Sequence, residues 1–236
     1  MNTTIRKKEG ELKLSTLPPN SLHEAAELAA AAFDDSPVYN AICHGNGEHQ
    51  TSAADDNDDD ERRSFRRRFL CWLFERNFRM RVGTSANRAV FDDNGKLIAF
   101  FMFVPPDIAN VGLWDMLRVG ILQAPFLFGI DVVKRLLVAK ADSERIEREI
   151  MEDQEFSKVF RLERMVVHPS MQGKGVGSHA LRQALDEADG AGLPVMLNTQ
   201  EERNLRFYGR LGFEVVGTHI LAGHTNWTML RRPVQT

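Results

Sequence analysis

The run Met165-Val-Val-His-Pro-Ser-Met-Gln-Gly-Lys-Gly-Val-Gly-Ser178 constrains this chain more than any other stretch. It reads as an apolar strand, a turn at Pro169 and a glycine-rich loop that opens a helix. The first backbone N–H groups of a helix have no partner inside it, and glycines let a phosphate approach them without meeting a Cβ. Gly173, Gly175 and Gly177 supply that clearance, so the loop has the makings of a pyrophosphate seat.

Other phosphate motifs are less compatible. The spacing of Gly173-Lys174-Gly175 does not match a P-loop. Gly175-Val-Gly177-Ser-His-Ala180 does satisfy the G-x-G-x-x-A of a dinucleotide fold. There, however, the first glycine follows its strand almost directly, whereas His168 to Gln172 intervene here. Only about sixty residues follow, too few for a doubly wound sheet.

The loop resembles instead the acetyl-CoA signature of the Gcn5-related N-acetyltransferase (GNAT) superfamily, Gln/Arg-x-x-Gly-x-Gly/Ala, as Gln172-Gly-Lys-Gly175-Val-Gly177. Downstream, Asn204-Leu-Arg-Phe-Tyr208-Gly-Arg-Leu-Gly212-Phe213 is similar to the closing motif of that family. The stretch from about residue 159 to 232 further resembles the puromycin N-acetyltransferase-like branch, including the strand around Trp227-Thr-Met229. One position departs: Asn198 stands where that branch often carries Glu.

The resemblance implies an α/β fold with a mixed sheet of about seven strands flanked by helices. It implies acetyl-CoA as cosubstrate, no metal, and transfer of acetyl to the primary amine of a small molecule by direct attack on the thioester. In that reading Met165, Val166, Val167, Gln172, Gly173, Lys174, Gly175, Val176, Gly177, Ser178, Asn204 and Tyr208 hold the cofactor, and Asn198 faces the substrate. A protein or peptide acetyltransferase, or a noncatalytic acyl-CoA-binding module, would share these motifs.

The chemistry needs a base and an acid. An amine with pKa near 10 is only about 0.1% deprotonated at pH 7, so a carboxylate that takes its proton accelerates attack. Glu163, in the strand leading to the loop, is the expected base. By strand alternation it points the same way as Met165 and Val167. The structural alternative is an ion pair with Arg161 or Arg164, and His168 is the second candidate base. Tyr208 is the expected acid, since its phenol is protonated at pH 7 and can donate to a leaving thiolate.

Composition narrows the rest. A chain of 236 residues can bury one substantial core, and it is read as a single domain, 1–236. A net charge of −3 gives no global drive toward nucleic acid or acidic membranes. Cys43 and Cys71 lie in no metal or redox spacing and are expected as reduced thiols, Cys71 buried beside Trp72. Met1 to Glu9 lacks the apolar core of a signal peptide, which points to the cytoplasm. The uncharged run Val119 to Ile130 is well short of the roughly 20 residues of a membrane span. Nothing in the sequence specifies an oligomeric state.

Along the chain, the patterns predict a first strand in 11–17, a helix from Leu22 to Phe33, and an irregular, disordered acidic loop over 44–61. An amphipathic helix over Arg62 to Met80 precedes a hairpin turning at Asp93-Asn94-Gly95. Residues 105–157 form a helical insertion, with helices at Leu113 to Val138 and Ser143 to Glu155 broken around Pro125 and Gly129. Its apolar residues serve either packing or a substrate-facing lid. Strands and helices then alternate: Val159–Val167, Val176–Gly190, Val195–Thr199, Glu202–Leu211, Phe213–Ile220 and Thr225–Arg231.

Overall fold

The eight residues Leu97 to Val104 are apolar and buried along their whole length, and a strand buried on both faces belongs inside a sheet. This strand, β3, lies third in a seven-stranded sheet ordered β1-β2-β3-β4-β5-β7-β6. The computed structural model describes residues 12–45, 56–108, 112–154 and 156–234. The other strands are β1 (Leu14–Thr16), β2 (Asn87–Phe91), β4 (Phe160–Val167), β5 (Val195–Thr199), β6 (Glu214–Leu221) and β7 (His224–Arg231). Only β4 and β5 pair in parallel; the other neighbours are antiparallel, so the sheet is mixed as expected.

Alternation along β3 sorts its side chains into two cores. Phe100, Met102 and Val104 pack with Phe69, Phe74 and Phe78. That face is covered by α1 (Leu22–Ala32), α2 (Pro37–His44), α3 (Asp56–Met80) and α6 (Ile130–Asp153). Phe101 and Phe103 join Val176, Ala180, Leu181 and Ala184 on the opposite face, where α7 (Val176–Gly190) and α8 (Glu202–Gly209) lie. These are called the α6 face and the α7 face below.

Three elements differ from expectation. α3 begins at Asp56, so residues 56–61 are its first turns rather than loop. Acidic residues suit the positive end of a helix, and Asp58 accepts from Arg62 one turn on, at 3.1 Å. Residues 44–45 close α2, with Gly45 at φ +81°, and the expected loop over 46–55 lies outside the described residues. Within the insertion, α4 (Leu113–Arg118) and α5 (Ala124–Phe128) are short, and Gly129 at φ +89° precedes α6 as the expected break. Contrary to expectation, α6 continues unbroken past Val138 because Ala139, Lys140 and Ala141 favour helix. Cys71 is half-buried rather than buried; both cysteines are free, and burial pushes the Cys43 thiol up to about 12.

α6 is a brace across one face of the sheet. Near its start Arg135 donates to the terminal carbonyls of α2, to Ile42 O at 2.7 Å and Cys43 O at 3.0 Å. Near its end Ile146 and Ile150 pack on Met196 of β5 and Leu230 of β7. Among the described residues no helix is long and apolar enough to cross a membrane.

Candidate active site

β4 and β5 pair only at Phe160–Val195, Arg161–Met196 and Leu162–Leu197. Beyond Leu162 the two strands part, while β4 continues to Val167 and the glycine loop. A gap therefore opens in the middle of the sheet with unpaired backbone along its edge. The His168 N–H donates to Ile98 O on β3 at 2.8 Å, so by alternation Val166 also faces β3 and Val167 turns its N–H and C=O to the gap. Gln172 donates its side-chain N–H to that Val167 carbonyl at 3.0 Å, tying the loop to the strand edge.

At the mouth of the gap the loop runs into α7. Gly173 and Gly175 have φ of +75° and +81°, conformations that side-chain-bearing residues rarely adopt, and a Cβ on either would meet open space. The first bond of α7 runs from His179 N–H to Gly175 O, which leaves Val176, Gly177 and Ser178 as helix-start donors. Lys174 is exposed, its Nζ 3.9 Å from Met171 Sδ. Gly177 does not clear a phosphate, contrary to the expectation. A Cβ there would lie 3.0 Å from Val167 Cγ2, 3.1 Å from Met165 Cε and 3.8 Å from Phe207 Cζ, so this glycine lets α7 close on β4 and α8.

Through that close approach α8 stands beside the gap. Tyr208 is buried between Phe207 and Phe213, with ring centroids 5.0 and 5.7 Å away, and burial pushes its phenol above the ordinary value. Asn204 donates to Thr199 Oγ1 at the end of β5, at 3.0 Å.

Glu163 does not share a face with Met165 and Val167. At Arg164 the β3–β4 register shifts by one, and Arg164 takes φ +52°, a bulge that interrupts alternation. Glu163 and Arg164 both turn to the α6 face and pair at 2.5 Å. Arg164 also reaches Met102 Sδ at 3.6 Å and lies 5.3 Å above the Phe74 ring. Met165 and Val167 pack on the α7 face. A left-handed non-glycine residue costs about 1–2 kcal/mol, which these contacts of Arg164 offset. The Nδ1 of His168 lies 2.8 Å from Ser170 Oγ, within its own exposed loop.

The α6 face carries a polar row at the level of the gap. Asn198 Oδ1 accepts from Thr228 Oγ1 at 2.7 Å, and Asn226, beside them on β7, accepts from Gln200 at 2.5 Å. The Asn198 amide donates to Glu147 Oε1 at 2.9 Å, and Arg161 donates from Nε to Glu147 Oε2 at 3.0 Å. Burial raises the Glu147 carboxyl, and the pull of Arg161 and Asn198 does not cancel it. Glu147 was missed in the sequence: only its adjacency to Ile146 and its turn before Ile150 place it on the inward side of α6, amid many solvated charges. Among the described residues no group of three or more His, Cys, Asp or Glu is placed to hold a metal ion.

Residues 133–215 match the family model described as an acetyltransferase (GNAT) domain. Solved structures share the fold. One is a protein described as histone acetyltransferase HPA2 and related acetyltransferase, from Corynebacterium glutamicum. It is 14% identical, with 96% of this chain and 98% of that one covered and a TM-score of 0.58. A polyamine N-acetyltransferase from Drosophila melanogaster is 14% identical, with 94% and 99% covered and a TM-score of 0.55. Arylalkylamine N-acetyltransferase 2 from Aedes aegypti is 12% identical over the same shares, with a TM-score of 0.58.

Proposed function

We propose that this chain, whose residues 133–215 match a GNAT acetyltransferase domain, moves the acetyl group of acetyl-CoA to the primary amine of a small molecule. The observation that carries this reading is the parting of β4 and β5 beside the glycine loop. An extended thioester chain can run through such a gap, with its pyrophosphate on the helix-start donors of α7 and its acyl end at the edge of β4.

The two faces then hold different reactants. Gly173, Lys174, Gly175 and the free N–H groups of Val176, Gly177 and Ser178 take the phosphates, and Asn204 and the Val167 edge take the amide groups of the pantetheine arm. The Val167 N–H, fixed before any substrate arrives, is a donor for the negative charge that grows on the thioester oxygen. Tyr208, kept protonated by burial, gives its proton to the departing thiolate. Glu163 takes the amine's proton from the α6 face, where it is paired with Arg164. The polyamine and arylalkylamine enzymes that share this fold act on small amines, which supports the acceptor class.

A thermal-shift titration with acetyl-CoA tests the first half. Ligand at 100 times its Kd adds about 2.7 kcal/mol, which raises Tm by several degrees in a chain this size. A shift with NAD and none with acetyl-CoA would overturn the reading. Release of CoA thiol on adding primary amines, with no labelling of a protein fraction, tests the second half.

A further inference from the structure

The inward stripe of α6 is apolar at Val132, Ala139, Ile146 and Ile150, yet Glu147 lies on it with its side chain 17% exposed. A carboxylate is carried into a sheet face only at a cost in desolvation, and half-satisfied carboxylates seek a cation. Arg161 and Asn198 give one hydrogen bond to each oxygen. A carboxylate oxygen can accept two, so Glu147 retains acceptor capacity.

A cavity of about 320 Å³ opens beside this group, lined by Pro106, Asp107, Met151, Lys158, Val159 and Arg161. Two of its walls lead inward. Met151 lies one turn of α6 beyond Glu147, and Arg161 lies two residues before Glu163 on the same side of β4. Arg161 thus belongs both to the cavity wall and to the pair with Glu147, and Glu163 and Asn198 lie on the same face of the sheet. The cavity's volume falls in the range of small-ligand pockets. Arg161 and Glu163 are 30% and 31% exposed.

We propose that this cavity is where the acceptor enters and that Glu147, brought in by the insertion helix, is the carboxylate that captures its ammonium ahead of Glu163. Arg161 competes for the same carboxylate and so sets how strongly an amine must bind. The ligand class is a small primary amine whose ammonium is its main charge. The identification of that amine as the acceptor rests on the acetyltransferase reading, but capture by Glu147 does not require turnover.

The test is calorimetric titration of the full chain, with and without CoA, using phenethylamine and putrescine, and N-acetylphenethylamine as the uncharged control. The expected result is binding of at least one free amine at least tenfold tighter than the acetamide. Glu147→Gln should weaken it at least tenfold, while Arg161→Gln tightens it. In turnover, Glu147→Gln should raise the acceptor KM with little change in kcat or in the KM for acetyl-CoA. If Glu147 is only a strut, both variants lower Tm and neither changes amine affinity, which overturns the proposal. Failure of the wild-type chain to prefer either amine to the acetamide overturns it as well. Glu147-dependent amine binding without acetylated product would leave this proposal standing and sink the acetyltransferase reading.

Discussion

On the α7 face the cofactor's seat is mostly backbone, namely two left-handed glycines, three helix-start N–H groups and the free edge of β4, to which α8 adds the side chains of Asn204 and Tyr208. On the α6 face it is made of side chains held in pairs, Glu147 with Arg161, Glu163 with Arg164, and Asn198 with Thr228. A backbone seat recognises what does not vary, such as a pyrophosphate, and depends on conformation more than on residue identity. A side-chain site can change its ligand one substitution at a time. The two faces of one sheet thus divide a constant reactant from a variable one.

If the α7 face works through its backbone, the largest effect comes from forcing the backbone itself. Gly175→Glu places a side chain at φ +81° and a negative charge at the helix start. It should lower acetyl-CoA affinity about a thousandfold, or about 4 kcal/mol, with the fold retained by circular dichroism. Unchanged affinity would remove the distinction between the faces.

Tyr208→Phe should reduce kcat about 100-fold with acetyl-CoA affinity preserved. It also carries a pH signature. Burial raises the Tyr208 phenol in the folded chain above the roughly 10 of the unfolded one, so its contribution to stability is present below about pH 10 and declines as the pH rises past it. The Phe variant should lack that alkaline decline in Tm.

A strut on the α7 side gives the contrast. Arg231 clasps Asp189 through two bonds of 2.7 Å, which holds this carboxyl below the ordinary range. Asp189→Asn should cost about 2 kcal/mol at pH 7 in urea unfolding and leave acetyl-CoA affinity unchanged. The difference from wild type should shrink as the pH falls below about 4, where the wild-type carboxylate is progressively protonated. The smallest effect belongs to exposed Lys174: Lys174→Ala should weaken acetyl-CoA binding only about threefold, and less at high salt.

Much of the α7 face was legible in the sequence because its determinants are local. Glycine spacing, the turn at Pro169 and the Asn204 to Tyr208 helix announce themselves over a few residues, and β4 to β7 lie where the apolar runs put them. The α6 face depends on residues that meet across the chain. Asn198 is 51 positions from Glu147, and no periodicity links them. The phase of Glu163 was misjudged for another reason: alternation is a rule for unbroken strands, and nothing in Leu162-Glu-Arg-Met165 marks a bulge. Gly177 was assigned to phosphate clearance because a glycine in the sequence shows that space is needed but not what fills it.

The bulge at Arg164 makes β4 two half-strands counted out of step. Counting by twos from Arg161 reaches Glu163, and one extra step brings the same side round to Val166. Loss of Arg164 would restore plain alternation and leave Arg161, Glu163 and Val166 on the side they already occupy, whereas loss of Leu162 would put Arg161 out of step with Glu163 and turn it toward the opposite face.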